Sequence, residues 1–200
     1  MHALNQIPAR IALGVLLAMA VGYLPLVLSV LETLSYESAV NYDFGALRGI
    51  DLFYCALGGL SFGLIVARQL VAQFGAAVVV KSGAVQMTAL LIASAYTGNS
   101  AGELLTLHFA LGFTGATTTP MVYLKLLEKR LVPQTQALAA VICLLGLSLG
   151  LLVLPVGVRW LIDFHGWRTA SAATAILFGC VNYWVWSALF SHSVACQVRH

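Results

Sequence analysis

The sequence predicts an all-α protein that lies in a lipid bilayer, and two observations support this class. Hydrophobic residues make up 60% of the 200 residues and charged residues only 8%, whereas a soluble domain has about 25% charged residues. Uncharged runs of the roughly 20 residues that a helix needs to cross a bilayer recur between short polar breaks. We therefore interpret residues 1–200 as one transmembrane domain with six spans, at about residues 8–31, 49–67, 76–97, 103–124, 134–158 and 168–190.

The first three spans are separated by a long polar segment and then by a short turn. Span 1 has Arg10 near its start and resembles a cleavable signal peptide, because Ala18-Met19-Ala20 mimics a small-residue cleavage site. Its apolar run continues to Leu31, which favours an uncleaved span. Span 2 ends before Arg68, and the turn Gln73-Phe74-Gly75 leads into span 3.

The last three spans are punctuated by glycine, proline and basic residues. Span 4 ends in three threonines and Pro120, and a basic loop with Lys129 and Arg130 follows it. Span 5 carries several helix-perturbing residues, namely Gly146, Gly150, Pro155 and Gly157. A short polar segment that is closed by Gly166-Trp167-Arg168 then leads into span 6.

The distribution of basic residues predicts the orientation. Cytoplasmic segments of membrane proteins carry an excess of Lys and Arg. If the amino terminus is cytoplasmic, most of the ten Lys and Arg residues fall inside, namely Arg10, Arg68, Lys81, Lys125, Lys129, Arg130 and Arg199. We therefore expect a multi-pass protein of the cell (inner or plasma) membrane with both termini in the cytoplasm.

Several other classes of protein are not indicated by the composition. The net charge of +3 comes without a basic cluster interleaved with aromatic residues, so nucleic-acid binding is not expected. The four cysteines are scattered and form no C-x-x-C pair, which argues against a metal site and a disulfide framework. No cofactor motif is present, and the lipid bilayer is the first expected partner.

One pattern suggests an enzyme, but packing explains it more simply. Gly59-Leu60-Ser61-Phe62-Gly63 matches the G-x-S-x-G pattern of serine hydrolases, which need a histidine within reach of the serine. His108 is the histidine that lies well inside a span, and the predicted spans place it toward the opposite side of the bilayer from Ser61. As a G-x-x-x-G stripe, Gly59 and Gly63 would instead let another helix approach closely. We therefore predict that the protein is not an enzyme.

Two motifs resemble the major facilitator superfamily of transporters. The segment from Pro155 to Gly166-Trp167-Arg168 resembles the end of the fifth span, the outer turn and the start of the sixth span of that family, most closely in its monocarboxylate and oxalate/formate branch. The stretch His108 to Gly115 resembles the family's span-4 motif, in which an arginine stands where this chain has His108 and a glycine follows at the position of Gly112. The resemblance extends over essentially all 200 residues.

The resemblance implies a fold and a function. The fold would be six helices as two inverted three-helix repeats, which is the amino-terminal half of a major facilitator fold. The function would be that of a half-size secondary transporter subunit that moves a small solute, such as an organic anion, by alternating access, with protons as a candidate coupling ion. Such transporters enclose their substrate between two halves. The chain would then act as a homodimer or with a separate six-helix partner.

The sequence also departs from the family. Aligned on Gly75, the family's inner-turn motif would place an aspartate at Ala72 and the first of its basic residues at Gln73. That aspartate and its basic neighbours help to latch the two halves together in the family. Their absence favours an alternative from another class, a non-transporting membrane scaffold or accessory subunit, or a truncated transporter relic.

The resemblance also implies which residues matter. The expected substrate or ion pathway comprises Tyr23, His108, Thr117, Thr119 and Arg159. For the threonines, packing with hydroxyls bonded to the backbone is an alternative, and Arg159 could either attract an anion or pair with Asp163. The expected structural residues of the family motifs are Gly75, Gly112, Pro155, Gly166, Trp167 and Arg168.

The presence of His108 in place of the family's arginine changes the charge expected at this position. An imidazole changes charge near neutral pH, whereas the family's arginine stays positive. The exchange would replace a fixed positive charge by one that responds to protons, unless His108 is a packing residue with a hydrogen bond near the interface.

Overall fold

The computed structural model describes residues 9–22, 24, 27, 49–96, 100–128, 131 and 133–190. All regular elements in this part of the chain are helical, in the order α1 (Ala9–Gly22), α2 (Gly49–Phe74), α3 (Ala76–Tyr96), α4 (Ala101–Gly115), α5 (Pro120–Glu128) and α6 (Pro133–Phe190). A single 3-10 turn at Ala116–Thr118 lies between α4 and α5. The all-α class predicted from the sequence is confirmed for these residues.

Three of these helices are long and apolar enough to cross a membrane, at Asp51–Phe74, Ala76–Tyr96 and Thr135–Ser187. Their length and composition support a membrane protein. Two helices extend beyond the spans that the sequence predicts, because polar residues can continue a helix after the apolar run ends. The helix α2 continues from residue 67 to Phe74, and α6 continues past residue 158 as far as Gly166, where the backbone is not helical.

Two glycines with positive φ reverse the direction of the chain. Gly75, with φ 82°, separates α2 from α3, and Gly166, with φ 79°, divides α6 into a first arm (residues 133–165) and a second arm (residues 167–190). A residue with a Cβ is strained in this conformation. At both positions the glycine therefore allows two apolar helices to follow one another with hardly any connecting loop.

The helices α2 and α4 pack in parallel with their backbones in contact. A Cβ at Gly59 would overlap the carbonyl oxygen of Phe109, and one at Gly112 would overlap the carbonyl oxygen of Ala56. The Sγ–H of Cys55 donates to the carbonyl oxygen of Leu105 at 3.2 Å. The contacts advance along both helices in the same direction, so the two helices run parallel.

The helix α1 and the first arm of α6 form a second parallel pair of the same kind. A Cβ at Gly146 would overlap the carbonyl oxygen of Leu16, and one at Gly150 would overlap that of Ala20. These two pairs, α1 with α6 and α2 with α4, are the most extensive contacts between helices in the described structure. Close approach at glycine therefore dominates the packing.

Two apolar clusters lie at the two ends of the bundle. The first cluster includes Ala67 and Ala76, which flank the Gly75 turn, and the second includes Ile162 and Ala170, which flank the Gly166 turn. The helices α1 and α3 and both arms of α6 contribute residues to both clusters. The Gly75 and Gly166 turns therefore lie at opposite ends of the bundle.

The Gly59 contact predicts a difference between two adjacent glycines. Gly59→Ala should destabilise the protein by about 1–3 kcal/mol because the new methyl group overpacks the contact with α4. Gly58→Ala is the matched control, since a Cβ at Gly58 has no atom within 4 Å. Both variants change helix propensity alike, so the difference between their unfolding midpoints in detergent isolates the packing effect. Equal midpoints would contradict the close contact.

Candidate functional site

The fourth apolar segment is interrupted where three threonines precede Pro120. The sequence predicts one span at 103–124, but α4 ends at Gly115, Thr119 is extended (φ −72°, ψ 158°), and α5 begins at Pro120. Pro120 has no N–H to offer to the preceding turn. The interruption therefore follows from Pro120. The prediction of one span at 103–124 did not include a break at this proline.

The threonine hydroxyls satisfy the backbone at this interruption. The hydroxyls of Thr117, Thr118 and Thr119 donate to the carbonyl oxygens three residues earlier, at 2.6 Å, 3.0 Å and 2.9 Å. Thr117 is also packed so closely against Gly83 of α3 that a Cβ there would overlap its Oγ1. These bonds match the alternative in which the threonines pack and bond to the backbone.

His108 lies inside the bundle with none of its surface exposed. Its Nδ1 is 2.8 Å from the carbonyl oxygen of Leu104. A carbonyl oxygen only accepts hydrogen bonds, so Nδ1 carries the proton and donates it. This bond fixes the orientation of the ring, and a guanidinium in its place would have to be buried completely.

Arg159 and Gly166-Trp167-Arg168 form a second group of polar and aromatic side chains near the Gly166 turn. The Nε of Arg159 donates to Oδ2 of Asp163 at 3.0 Å, and both side chains are about half exposed. Arg159 therefore pairs with Asp163, which is one of the two roles that the sequence suggests for it. Trp160 lies 5.2 Å from the ring of Phe164, and the guanidinium of Arg168 lies 5.3 Å from the Trp167 ring.

The remaining predicted residues have simpler positions. Tyr23 lies outside the described residues. The helix α6 continues through Pro155, so this proline does not end the helix. The prediction that Ser61 and His108 lie toward opposite sides is wrong, because Gly59 contacts Phe109 and the parallel helices bring the two residues to nearly the same depth. Ser61 is nevertheless exposed while His108 is fully buried, and the glycines on either side of Ser61 pack against α4. Packing thus accounts for the G-x-S-x-G pattern.

Three of the predicted pathway residues form hydrogen bonds within their own helical segments. His108 bonds to Leu104, Thr117 to Thr114, and Arg159 to Asp163. His108 and Thr117 are buried, whereas Arg159 is half exposed. These residues are held in place by their own helices, and within the described part of the chain no group of three His, Cys, Asp or Glu side chains could hold a metal ion.

A buried polar pair that sequence reasoning missed joins α5 to the second arm of α6. The hydroxyl of Tyr123 donates to Oδ1 of Asn182 at 3.2 Å, and Nδ2 of Asn182 donates to the carbonyl oxygen of Phe178 at 2.9 Å. Both side chains are buried. An asparagine within the predicted sixth span was the available signal, because polar side chains in a bilayer often bond across helices.

No family model, no curated protein and no solved structure matches this chain.

The Tyr123 to Asn182 bond predicts a specific loss of stability. Tyr123→Phe removes the donor but keeps the ring, and should lower the free energy of unfolding by about 0.5–1.5 kcal/mol. Tyr183→Phe is the matched control, because Tyr183 is exposed on the same arm as Asn182. Thermal unfolding in detergent measures both variants, and a Tyr123→Phe midpoint as high as that of the control would exclude a stabilising bond.

Proposed function

We propose that the chain is a six-span membrane protein built from two inverted three-helix repeats, and that it serves as one half of a secondary transporter of the major facilitator type. In this proposal α1, α2 and α3 belong to the first repeat. The segment α4 with α5 and the two arms of α6 form the second. The observation that carries the proposal is the matching pair of parallel helix interfaces, α2 with α4 and α1 with α6.

The two glycine turns support the repeat. Residues 67–75 and 158–166 align without a gap, with identical residues at Arg68 and Arg159, at Leu70 and Leu161, and at Gly75 and Gly166. Both glycines have positive φ, and the two turns lie at opposite ends of the bundle. Opposite ends are what an inverted repeat requires, because its two units cross the membrane in opposite directions.

The helix interfaces support the same relationship. Under this alignment Gly59 corresponds to Gly150, and each packs against a carbonyl oxygen of the helix that opens the other repeat. Cys55 corresponds to Gly146. The thiol of Cys55 donates to the carbonyl oxygen of Leu105, and a Cβ at Gly146 would overlap the carbonyl oxygen of Leu16. The first helix of each repeat thus packs against the second helix of the other repeat.

This architecture is suited to alternating access. In inverted-repeat transporters the substrate lies between two halves, which rock about a central site. The outer face of α2 carries Tyr54, Gly58 and Ser61, all exposed, and a Cβ at Gly58 would meet open space. We assign the part of this face from Tyr54 to Ser61 to contact with a second half, which is either a second copy or a separate partner. A small organic anion is the proposed solute, with protons as the coupling ion.

A non-transporting scaffold is the second candidate, and one observation favours it. His108, Thr117 and Arg159 have hydrogen bonds within their own helical segments, and two of the three are buried within the bundle. Ala72 also stands where the resembled family has the latching aspartate. A protein that only holds a partner in the membrane would need the packing of the bundle and none of these side chains in a pathway.

The proposed topology predicts the location of four loops. Reporter fusions after Asn99 and His165 should report an external location, and fusions after Gln73 and Arg130 a cytoplasmic one. The physical basis is the excess of basic residues in the cytoplasmic segments. Alkaline phosphatase and a fluorescent protein, which are active on opposite sides, provide the two readouts. An internal location for the His165 fusion would overturn the six-span topology.

The proposed contact face predicts selective cross-linking between chains. In a variant whose native cysteines are replaced, Ser61→Cys should form a disulfide-linked dimer on oxidation if the partner is a second copy. Val85→Cys should not, although Val85 on α3 is also exposed. Non-reducing electrophoresis of native membranes measures both variants.

Uptake separates the two candidate functions. Proteoliposomes that contain the cross-linkable protein should accumulate labelled formate, oxalate or lactate above empty vesicles, and a cross-link at Ser61→Cys should stop uptake. A strictly monomeric protein that transports would contradict the two-half assembly. A Ser61→Cys dimer that transports none of these anions would favour the scaffold.

A further inference from the structure

A cavity of about 530 Å³ lies between α2 and α5, beside the Gly75 turn. This volume falls within the range of ligand-binding pockets, which is about 300–1,000 Å³. Leu64, Val71 and Met121 contribute to its apolar wall, while Arg68 of α2 and Lys125 of α5 bring positive charge into it. Glu128 of α5 lines the cavity as well, so the cavity offers apolar surface, two cations and one carboxylate to the same occupant.

The cavity is continued by a recess of about 490 Å³ along the outer side of α2, and Arg68 and Leu64 line both. The recess includes Ile65, which is 63% exposed. Together these spaces form a groove, which we call the Arg68 groove. One end of it is charged, and the other is an apolar helix face.

The charges of the Arg68 groove leave positive charge uncompensated. The Nζ of Lys125 lies 3.4 Å from Oε2 of Glu128, and both side chains are about half exposed. No ion pair of Arg68 with a carboxylate is found within the described part of the chain. Arg159, at the equivalent position before the Gly166 turn, is paired with Asp163 at 3.0 Å. Within the described residues, the arginine before the Gly166 turn is therefore paired with a carboxylate, whereas the arginine before the Gly75 turn is not.

The position of Arg68 along α2 corresponds to the level of lipid headgroups. The helix has 26 residues and is therefore about 39 Å long, whereas the hydrocarbon core of a bilayer is about 30 Å thick. Arg68 and Gln69 lie in the last two turns of α2, within about 9 Å of its end, and a long basic side chain near a helix end extends toward the headgroups. A guanidinium binds phosphate oxygens in a bidentate manner, and a lysine adds a point charge.

We propose that the Arg68 groove binds an anionic phospholipid. Its phosphate lies between Arg68 and Lys125, and an acyl chain lies along the apolar surface of Leu64, Ile65 and Met121. Only the choice of leaflet rests on the proposed function. With a cytoplasmic Gly75 turn, the lipid comes from the cytoplasmic leaflet, whose surface is negatively charged.

Lipid titration of the full-length protein tests this site without reference to transport or topology. Delipidated protein in mild detergent is titrated with phosphatidylglycerol, and bound lipid is counted by native mass spectrometry. Phosphatidylcholine supplies the same chains without net charge, and glycerol phosphate and inorganic phosphate supply the anion without chains. Phosphatidylglycerol should bind and raise the unfolding midpoint, and the other three should do neither.

Charge variants locate the site. Arg68→Gln and Lys125→Gln should each weaken phosphatidylglycerol binding about fivefold, as expected for loss of one basic residue near a charged lipid. Arg68→Lys should retain most of the binding and shows that the position tolerates substitution. Arg159→Gln is the matched control and should leave binding unchanged. Glu128→Gln should leave it unchanged or strengthen it.

Three results would overturn the proposal. Unchanged binding in Arg68→Gln would place the lipid elsewhere. An equal rise of the unfolding midpoint with glycerol phosphate or inorganic phosphate would identify a site for a soluble anion. Equal binding of phosphatidylcholine would show that the charges have no part in recognition. A failure of the topology test with intact Arg68-dependent binding would overturn the proposed function and leave the lipid site standing.

Discussion

The structure depends on contact between helix backbones at glycine. Lipid chains are as apolar as the side chains of a transmembrane helix, so helices in a bilayer gain little from burying apolar surface against one another. Van der Waals contact at short distance has to supply the attraction, and glycine permits the shortest distance. Gly59 and Gly112 bring α2 against α4, and Gly146 and Gly150 bring α6 against α1. The remaining contacts complete a bundle that these two interfaces define.

The polar side chains follow from a second constraint, which is that the backbone in a bilayer must satisfy its own hydrogen bonds. The helical hydrogen bonds of α4 end before Pro120, and three threonine hydroxyls donate to nearby carbonyl oxygens there. The imidazole of His108 likewise forms a hydrogen bond within its own helix. The side-chain amide of Asn182 donates to the carbonyl oxygen of Phe178 and accepts from the hydroxyl of Tyr123. Much of the buried polarity of this protein therefore supports the fold. The Arg68 groove, by contrast, exposes charge that no carboxylate of the described chain neutralises.

Prediction from the sequence succeeded where composition and helical spacing determine the result. The apolar runs predicted the all-helical class, and the spacing of Gly59 and Gly63 predicted a packing stripe that the structure shows against Phe109 and Phe113. Helix ends were less predictable, because polar residues such as Arg68 and Gln73 continue α2 beyond its apolar run. The bonding of the threonines to the backbone was one of the two expected roles, but the interruption before Pro120 was not predicted, because the apolar run continues through it. The Tyr123 to Asn182 pair depends on which helices are neighbours, and residue patterns within single spans do not contain that information.

The central claim is that two units of the chain are related by inversion, so that the Gly75 and Gly166 turns lie at opposite ends of the bundle. Pulsed electron paramagnetic resonance measures this directly in a variant with spin labels at Gln73→Cys and Phe164→Cys, both exposed positions. The native cysteines are replaced, and unlabelled protein is added in excess to suppress distances between chains. The account predicts a separation of roughly 40 Å, about the length of α2. A distribution centred below about 20 Å, well short of the roughly 30 Å hydrocarbon thickness, would place both turns at the same end and contradict it.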